Sequence, residues 1–261
     1  MQTEQEAYGE SSRSRSLLNV VGLCVRYGEV TALSDAAVHV QQGEVVALLG
    51  PNGAGKSTAL KAIAGFVRPS AGSVVFRGVS IVGIPTHRLV RLGLVLAPEE
   101  RHVFGSMSVF ENLVVGGHTL GSRSLVRQRV EGVLELFPSL RSRVQQRAST
   151  LSGGEQQLLG MGRALMLRPF LLLLDEPSFA LSPNYVQIVF DKISAIAADH
   201  TSVLLVEQNA AMALRYCDRA YVFEVGRIRL EGTSDSLLDN PEVRALYLGV
   251  EAAGKSGFQH E

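Results

Sequence analysis

Short apolar runs alternate with longer, helix-length segments along the second half of the chain. Residues 171–174, 202–206 and 220–223 form the runs, and helix-length segments occupy residues 183–199 and 210–216. An uninterrupted apolar run of this length is typical of a strand that is buried on both faces. Strands that alternate with helices form a largely parallel sheet, so the pattern predicts an α/β core with helices on both faces.

The pattern changes in two other parts of the chain. Residues 17–26, 36–40 and 73–76 are strand-like stretches connected by turns, which favours an antiparallel β subdomain on the edge of the core. Residues 108–144 are helical in character and include an amphipathic stretch at 126–133. This stretch predicts a helical subdomain that is inserted between two parts of the core.

These segments suit one large domain. A chain of 261 residues, 46% of them hydrophobic, can bury a sizeable core. We expect a disordered leader at 1–16, a domain at 17–249 and a flexible tail at 250–261. Within the domain, the core with its β subdomain is expected at 17–107 and 149–249, and the helical subdomain at 108–148.

Charge and composition narrow the classes of function. The 25 basic and 25 acidic residues balance, which gives no electrostatic argument for binding nucleic acid. No apolar run approaches the roughly 20 residues that span a bilayer, and the polar start of the chain is unlike a secretory signal. Cys24 and Cys217 have no metal-binding spacing, which is typical of reduced thiols in a cytoplasmic protein. We therefore expect a soluble or peripheral protein.

A phosphate-binding loop follows the apolar run at 44–49. Residues 50–57 fill every position of the pattern G-x-x-x-x-G-K-[ST], and a helix-like segment continues to residue 64. In this setting, backbone N–H groups of the loop and of the helix N-terminus bind phosphate oxygens. The loop residues are Gly50, Pro51, Asn52, Gly53, Ala54, Gly55, Lys56, Ser57 and Thr58. Lys56 would reach the β- and γ-phosphates and Ser57 would ligate Mg²⁺; the alternative is a glycine-rich turn that binds no ligand.

Two carboxylates follow the apolar run at 171–174. Asp175 and Glu176 precede Pro177 at the carboxyl end of a predicted strand, the edge at which an α/β sheet binds its ligand. Asp175 is suited to hold Mg²⁺ through water, and Glu176 to polarise a water for in-line attack on the γ-phosphate. The alternative is a polar pair that caps the following helix.

A third motif, Leu-Ser-Gly-Gly-Glu-Gln-Gln at 151–157, stands at the start of a helix-like segment. Ser152, Gly153 and Gly154 can offer a hydroxyl and backbone N–H groups to a γ-phosphate. Ser152 is also a good helix N-cap, and both roles are compatible. The phosphate loop, this motif and Asp-Glu-Pro, in this order, resemble the ATP-binding cassette family of transport ATPases over roughly residues 17–248.

The resemblance implies ATP and Mg²⁺ as cofactors and two cassettes that face each other head to tail. In that family the motif at 151–157 of one cassette closes over ATP held by the other. Tyr27 resembles the aromatic residue that stacks on adenine, although it could equally be a strand-edge residue. Residues 178–182 resemble the loop that contacts the partner cassette, with Ala180 where a close subgroup usually has glycine.

Two positions depart from the general family. Glu99 stands where glutamine is usual, so it would sense the nucleotide through Mg²⁺ or water, unless it is a solvated loop carboxylate. Gln208 stands where a switch histidine is common; it can donate a hydrogen bond to a γ-phosphate oxygen but carries no positive charge. The expected catalytic residues are Glu176, Lys56 and Gln208, and the expected Mg²⁺ ligands are Ser57, Asp175 and Glu99.

The same departures resemble one cassette of bacterial branched-chain amino acid importers. That resemblance also rests on Phe104 and on residues 83–88, 206–209 and 240–244. It implies a second, related cassette, two membrane permease subunits that dock near residues 99–104 and the helical subdomain, and an extracytoplasmic solute-binding protein. It also implies a peripheral location on the cytoplasmic face of the membrane and no nucleic-acid partner.

Other functions fit some of the same motifs. An importer of urea or another amide, or an ATPase that moves lipid-linked material outward, would share them, because the ATPase subunit does not contact the cargo. The neutral charge and the single cassette disfavour a soluble ATPase that acts on nucleic acid or ribosomes. Intact Lys56, Asp175 and Glu176 disfavour a scaffold that binds nucleotide without hydrolysing it.

Overall fold

The computed structural model describes residues 16–98 and 103–247. Its strands are β1 Ser16–Tyr27, β2 Val30–Gln41, β3 Val45–Leu49, β4 Ala71–Phe76, β5 Val79–Ser80, β6 Leu94–Ala97, β7 Leu171–Asp175, β8 Ser202–Glu207, β9 Arg219–Glu224 and β10 Arg227–Thr233. Its helices are α1 Lys56–Ile63, α2 Thr86–Leu92, α3 Val109–Gly116, α4 Arg123–Leu136, α5 Pro138–Arg141, α6 Gly153–Leu165, α7 Pro183–Ala198, α8 Ala210–Ala213, α9 Ser234–Leu238 and α10 Pro241–Tyr247. The predicted leader through residue 15, Glu99 and the predicted tail lie outside the described residues, and β1 begins at Ser16.

The core sheet has the strand order β10-β9-β3-β8-β7-β6. The strands from β9 to β6 are parallel, and β10 is antiparallel to β9. Leu49 at the end of β3 is level with Glu207 of β8, and Asp175 of β7 is level with Val206. The residues that follow these three strands therefore meet at one edge of the sheet, and the predicted α/β fold class is confirmed.

Both faces of the core sheet are covered. Alternate residues of β3 point to opposite sides: Val45, Ala47 and Leu49 join one hydrophobic cluster, and Val46 and Leu48 join another. The first cluster includes residues of α3 to α8, and the second includes α1 and the strands β1, β2 and β4. Burial on both faces explains why the core strands read as uninterrupted apolar runs.

A separate antiparallel sheet, with the order β2-β1-β4-β5, packs against the second face. The turn between β9 and β10 joins this sheet to the phosphate loop. The N–H of Ser34 donates to the carbonyl of Gly226 at 2.8 Å, and the N–H of Gly226 donates to the carbonyl of Ala54 at 3.0 Å. The antiparallel sheet therefore holds the phosphate loop from the side.

The helices α3, α4 and α5 pack closely against α6. A Cβ at Gly162 would lie 2.8 Å from Cγ1 of Val133, and a Cβ at Gly116 would lie 2.6 Å from the carbonyl oxygen of Arg163. Both separations are too short for a side chain, so glycine is required where these helices cross. The limits predicted for a helical subdomain, 108–148, remain a prediction.

Several elements differ from the sequence prediction. The strand β10 alternates charged and half-buried residues on an edge, so it has no apolar run to reveal it. The helix α8 ends at Ala213 rather than at residue 216, because the N–H groups of Arg215 and Tyr216 bond to carbonyls three residues back. Helix α2 and the short strands β5 and β6 were also absent from the prediction.

Within residues 16–98 and 103–247, no helix combines the length and the apolar character needed to cross a membrane.

Candidate functional site

A cleft of about 370 Å³ opens where β3 and β7 end. Most of its wall is the phosphate loop and the first turn of α1, and β2 contributes one residue. The remaining wall comes from the loop after β7. The lining residues are Ala32, Asn52, Gly53, Ala54, Gly55, Lys56, Ser57, Thr58, Glu176 and Phe179. The structure thus brings the predicted phosphate loop and the predicted base into one cavity.

Two glycines allow the phosphate loop to pass close to its neighbours. Gly50 has φ +142°, and a Cβ there would lie 2.3 Å from the carbonyl oxygen of Phe223. Gly55, the residue before α1, has φ +100°, and a Cβ there would lie 2.7 Å from the carbonyl oxygen of Ala32. Any larger residue would push the loop away from the sheet edge.

The ammonium group of Lys56 holds the loop closed. Its Nζ donates to the carbonyl oxygens of Gly50 at 2.7 Å and of Pro51 at 3.0 Å, and the residue is 4% exposed. Burial lowers the pKa of Lys56, while the negative charges of Glu176 and Asp175 act to raise it. A phosphate oxygen in the cleft would give this buried ammonium a charged partner.

Ser57 and Asp175 form the polar contact between the loop and β7. The hydroxyl of Ser57 donates to Oδ1 of Asp175 at 2.7 Å, and Asp175 is buried at the end of its strand. A hydroxyl and a carboxylate are hard oxygen donors of the kind that Mg²⁺ prefers. The described ranges contain no cluster of three or more His, Cys, Asp or Glu suited to a metal. Two such donors fit Mg²⁺, which is commonly held by one or two protein groups and completes its shell with waters and substrate phosphates.

Glu176 lies between two cavities. It lines the phosphate cleft, and it also lines a neighbouring cavity with Ser178, Phe179, Gln208 and others. Its backbone is left-handed, with φ +45°, and its N–H donates to the carbonyl of Val206 at 3.0 Å. A non-glycine residue in this conformation is costly and is found most often at functional sites. The second cavity brings Glu176 and Gln208 together from the ends of adjacent strands.

The predicted signature residues lie at the start of α6. The hydroxyl of Ser152 accepts from the N–H of Glu155 at 3.3 Å, and the Glu155 carboxylate accepts from the N–H of Ser152 at 2.9 Å. This reciprocal capping box fixes the first turn and leaves Ser152 exposed. Ser152, Gly153 and Gly154 are absent from the residues that line the phosphate cleft within the described chain.

Comparison with known proteins identifies this arrangement. The family model described as ABC transporter matches residues 33–179, which is more than half of the chain. The chain belongs to the ABC transporter family. It is therefore an ATP-binding ATPase, which we call the cassette.

Three curated relatives match nearly the full cassette. A high-affinity branched-chain amino acid transport ATP-binding protein, BraG of Pseudomonas aeruginosa, is 47% identical, and the match covers 85% of this chain and 95% of that protein. A probable branched-chain amino acid transport ATP-binding protein, LivF of Archaeoglobus fulgidus, is 37% identical, and the match covers 90% of this chain and 99% of that protein. The lipopolysaccharide export system ATP-binding protein LptB of Acidithiobacillus ferridurans is 34% identical, and the match covers 89% of this chain and 97% of that protein.

A solved structure has the same fold. The crystal structure of the ADP conformation of MJ1267, an ATP-binding cassette of an ABC transporter, superposes with a TM-score of 0.81. It is 28% identical, and the match covers 90% of this chain and 99% of that one.

Three other predicted positions have different outcomes. Tyr27 ends β1, is 50% exposed and is not among the residues lining the cleft in the described chain, so its role as an adenine platform stays a prediction. Glu99 lies outside the described residues. Ala180 adopts φ +53°, a left-handed conformation that glycine reaches more readily than alanine.

Tyr185 of α7 supports the signature, and sequence reasoning missed it. Its hydroxyl oxygen accepts from the Ser152 hydroxyl at 3.3 Å. A Cβ at Gly154 would lie 2.1 Å from Cδ1 of the Tyr185 ring, so that glycine makes room for the ring. Gly154 and Tyr185 are 31 positions apart, and no local pattern in the sequence links them.

Glu207 is a second residue that sequence reasoning left without a role. It is 2% exposed, and its Oε1 accepts from the backbone N–H of Ser178 at 3.0 Å. It thereby holds the loop that follows Glu176. Burial raises the pKa of Glu207, with a smaller contribution from the negative charge of Glu176, against hydrogen bonds that lower it. A carboxylate that ends the apolar run 202–206 was the available signal.

We expect Glu207→Gln to change how the stability of the cassette depends on pH. Since the folded pKa of Glu207 lies above its unfolded value of 4.5, its stabilisation is present below pH 4.5 and is lost as pH rises through the folded pKa. Glutamine keeps the acceptor oxygen but does not titrate. As pH rises, the free energy of unfolding of the variant should therefore increase relative to that of the wild type, by about 1.4 kcal/mol for each unit of pKa shift.

Urea denaturation of both proteins at a series of pH values above 4.5 measures this difference. Glu231→Gln, on the exposed face of β10, is the matched control. A difference between Glu207→Gln and wild type that stays constant over the series would contradict the assigned effect of burial.

Proposed function

We propose that the cassette is the ATP-hydrolysing subunit of an importer of branched-chain amino acids. The observation that carries the ATPase role is the cleft that joins the phosphate loop to Glu176, whose lining residue Ser57 is hydrogen-bonded to Asp175. The cargo class is supported by relatives that are 47% and 37% identical and whose names specify branched-chain amino acid transport.

In this proposal the phosphate loop binds the triphosphate of ATP through its N–H groups and the N-terminus of α1. Lys56 exchanges its carbonyl partners, Gly50 and Pro51, for oxygens of the β- and γ-phosphates. Ser57 and Asp175 would hold Mg²⁺, which, when bound, neutralises charge on the phosphates. Tyr27 would stack on the adenine, and Glu99 would contribute to the Mg²⁺ shell.

Glu176 is the proposed general base. It would accept a hydrogen bond from the attacking water and orient it toward the γ-phosphate. Gln208 shares the adjoining cavity with Glu176 and would donate a hydrogen bond from its amide to a γ-phosphate oxygen. Because an amide carries no proton that titrates near neutral pH, this site would work without a protonated histidine.

The site is proposed to be completed by a second cassette. Ser152 is exposed at the N-terminus of α6 and belongs to a different surface from the residues lining the cleft. Exposed N–H groups at a helix N-terminus are suited to a γ-phosphate presented by another molecule. The capping box and Tyr185 hold that surface in shape before the partner arrives.

A groove of about 460 Å³ is the proposed docking site for the permeases. It lies between the end of β6 and the helices α3 and α6, and its lining includes Pro98, the last residue described before position 103. Phe104 lines it, is 42% exposed, and carries the guanidinium of Arg163 over its ring at 4.4 Å. An apolar groove with an aromatic anchor suits a short helix of a partner. Two permeases and an extracytoplasmic binding protein would complete an importer, with the cassette on the cytoplasmic face.

A second candidate function is export of lipid-linked material. It is supported by the 34% identity to the lipopolysaccharide export protein LptB, which is close to the 37% identity to the importer relative LivF. The two functions would use the same ATP chemistry and differ in the permease that occupies the groove. A transport measurement, rather than an ATPase measurement, separates them.

Glu176→Gln should abolish turnover while retaining ATP. The amide cannot accept the proton of the attacking water, so steady-state phosphate release should fall at least about 100-fold. ATP should still bind, and gel filtration with ATP should show a closed dimer. Glu231→Gln is the exposed control, and unchanged hydrolysis in Glu176→Gln would remove the assignment of the base.

Ser152→Trp should suppress hydrolysis without preventing ATP from binding. The indole would block the surface that meets the partner's nucleotide, whereas the cleft of the same chain does not include Ser152. Fluorescent ATP binding and phosphate release measure the two steps separately. Ser139→Trp, on the exposed side of α5, is the control. If ATP no longer bound to the folded Ser152→Trp variant, the role of Ser152 across a dimer would be wrong.

Phe104→Ala should reduce transport without preventing the cassette from binding ATP. Loss of the aromatic anchor should reduce uptake of labelled leucine several-fold in vesicles that contain the cassette with its permeases, while ATP binding is retained. Phe66→Ala is the control, since Phe66 is also exposed but does not line the groove. Normal uptake by Phe104→Ala would contradict the docking site. Wild-type vesicles that move lipid-linked material but no leucine would favour the second candidate.

A further inference from the structure

A separate cavity of about 280 Å³ lies between α4 and the carboxyl-terminal ends of α6 and α7. It shares no lining residue with the phosphate cleft or with the groove proposed for the permeases. Its volume is close to the lower limit of about 300 Å³ for small-molecule sites, so a ligand here would be small. The ATPase chemistry described above does not use this cavity.

The charged groups of the cavity are unpaired. Its lining includes Arg129, Arg168 and Asp199, and none of the three forms an ion pair within the part of the chain that the structure describes. The Nε of Arg129 is buried and has no hydrogen-bond partner among the described residues. Leaving a buried donor of a charged group unsatisfied costs free energy that a bound acceptor would recover.

The two arginines act on each other. Burial lowers the pKa of Arg129, and the positive charge of Arg168 lowers it further. Both residues line the cavity, so two positive charges border the same space. A carboxylate between them would relieve the repulsion and accept charge-assisted hydrogen bonds, which are about twice as strong as neutral ones.

The remaining lining is aliphatic. Val133 and Ile196 are buried, and Leu136 and Leu165 are half-buried around them. These side chains come from α4, α6 and α7, so they form an apolar wall next to the charged groups. A branched aliphatic group of four or five carbons would be covered by this wall, at a gain of about 0.8 kcal/mol per buried CH₂.

We propose that this cavity binds a zwitterionic α-amino acid with an aliphatic side chain. The carboxylate would lie between Arg129 and Arg168, the ammonium group would meet Asp199, and the side chain would contact Val133 and Ile196. Each charge of the ligand then has a partner of opposite sign. Binding of this ligand is argued from the cavity alone. Only its biological role, in which the transported compound also binds the ATPase, rests on the proposed function.

Other small ligands fit these groups less well. A fatty acid or other simple carboxylate would leave Asp199 without a cation. A nucleotide or inorganic phosphate would bring more negative charge beside Asp199 and would leave the aliphatic wall uncovered. An amine without a carboxylate would leave both arginines unpaired. The zwitterion satisfies all three charged side chains at once.

Isothermal titration of the full chain, without nucleotide or permeases, tests the proposal with L-leucine as the probe. Leucine should bind, and 4-methylpentanoate and isopentylamine, which lack the ammonium and the carboxylate respectively, should each bind at least about tenfold more weakly. Arg129→Gln should weaken leucine binding at least about tenfold. Arg127→Gln, two residues earlier on α4 and exposed, is the matched control and should bind as wild type does.

Asp199→Asn provides an independent variant on the exposed rim, in case Arg129→Gln does not fold. It should weaken leucine binding at least about tenfold but leave 4-methylpentanoate binding unchanged, because that ligand has no ammonium group. The proposal is overturned if wild type does not bind leucine at millimolar concentration, or if a folded Arg129→Gln or Asp199→Asn variant binds it as wild type does. ATP binding measured on the same samples, and uptake measured in vesicles, report on the proposed function separately.

Discussion

The parallel pairing of β3, β8 and β7 is the constraint on which the rest of the site depends. It places the ends of these strands at one level, so the phosphate loop, Glu207 and Asp175 meet although they lie far apart in the chain. The Ser57–Asp175 hydrogen bond of 2.7 Å is a direct result of that register. A shift of one residue in β7 would reverse the direction of Asp175 and break the contact.

This edge of the sheet concentrates ionisable groups in a buried place. Lys56, Asp175 and Glu207 are each nearly inaccessible, and each is held by at least one hydrogen bond. Such groups are costly to bury unless they are paired, and for the Lys56 ammonium a phosphate group of a bound nucleotide can offset that cost. The left-handed backbone of Glu176 adds strain at the same point. Desolvation and backbone strain are therefore concentrated at the sheet edge where the charged groups are held.

The helices α6 and α7 link three surfaces of the cassette. Their amino-terminal ends meet at Ser152 and Tyr185, and their carboxyl-terminal ends line the cavity between Arg129 and Asp199. The middle of α6 packs against α3 and α4 through Gly162 and also borders the groove near Phe104. The two helices thus contribute to a different surface at each end.

The amino-acid sequence by itself determined the α/β class, the phosphate loop and the carboxylate pair Asp175 and Glu176. These are local features: an apolar run sets a buried strand, and the residues that follow it must lie at the strand's end. The tertiary structure decided what depends on contacts between distant segments. Tyr185 under Gly154, the Glu207 acceptor for Ser178 and the unpaired Arg129 have no signature in the sequence, because each is defined by a neighbour that only folding brings close.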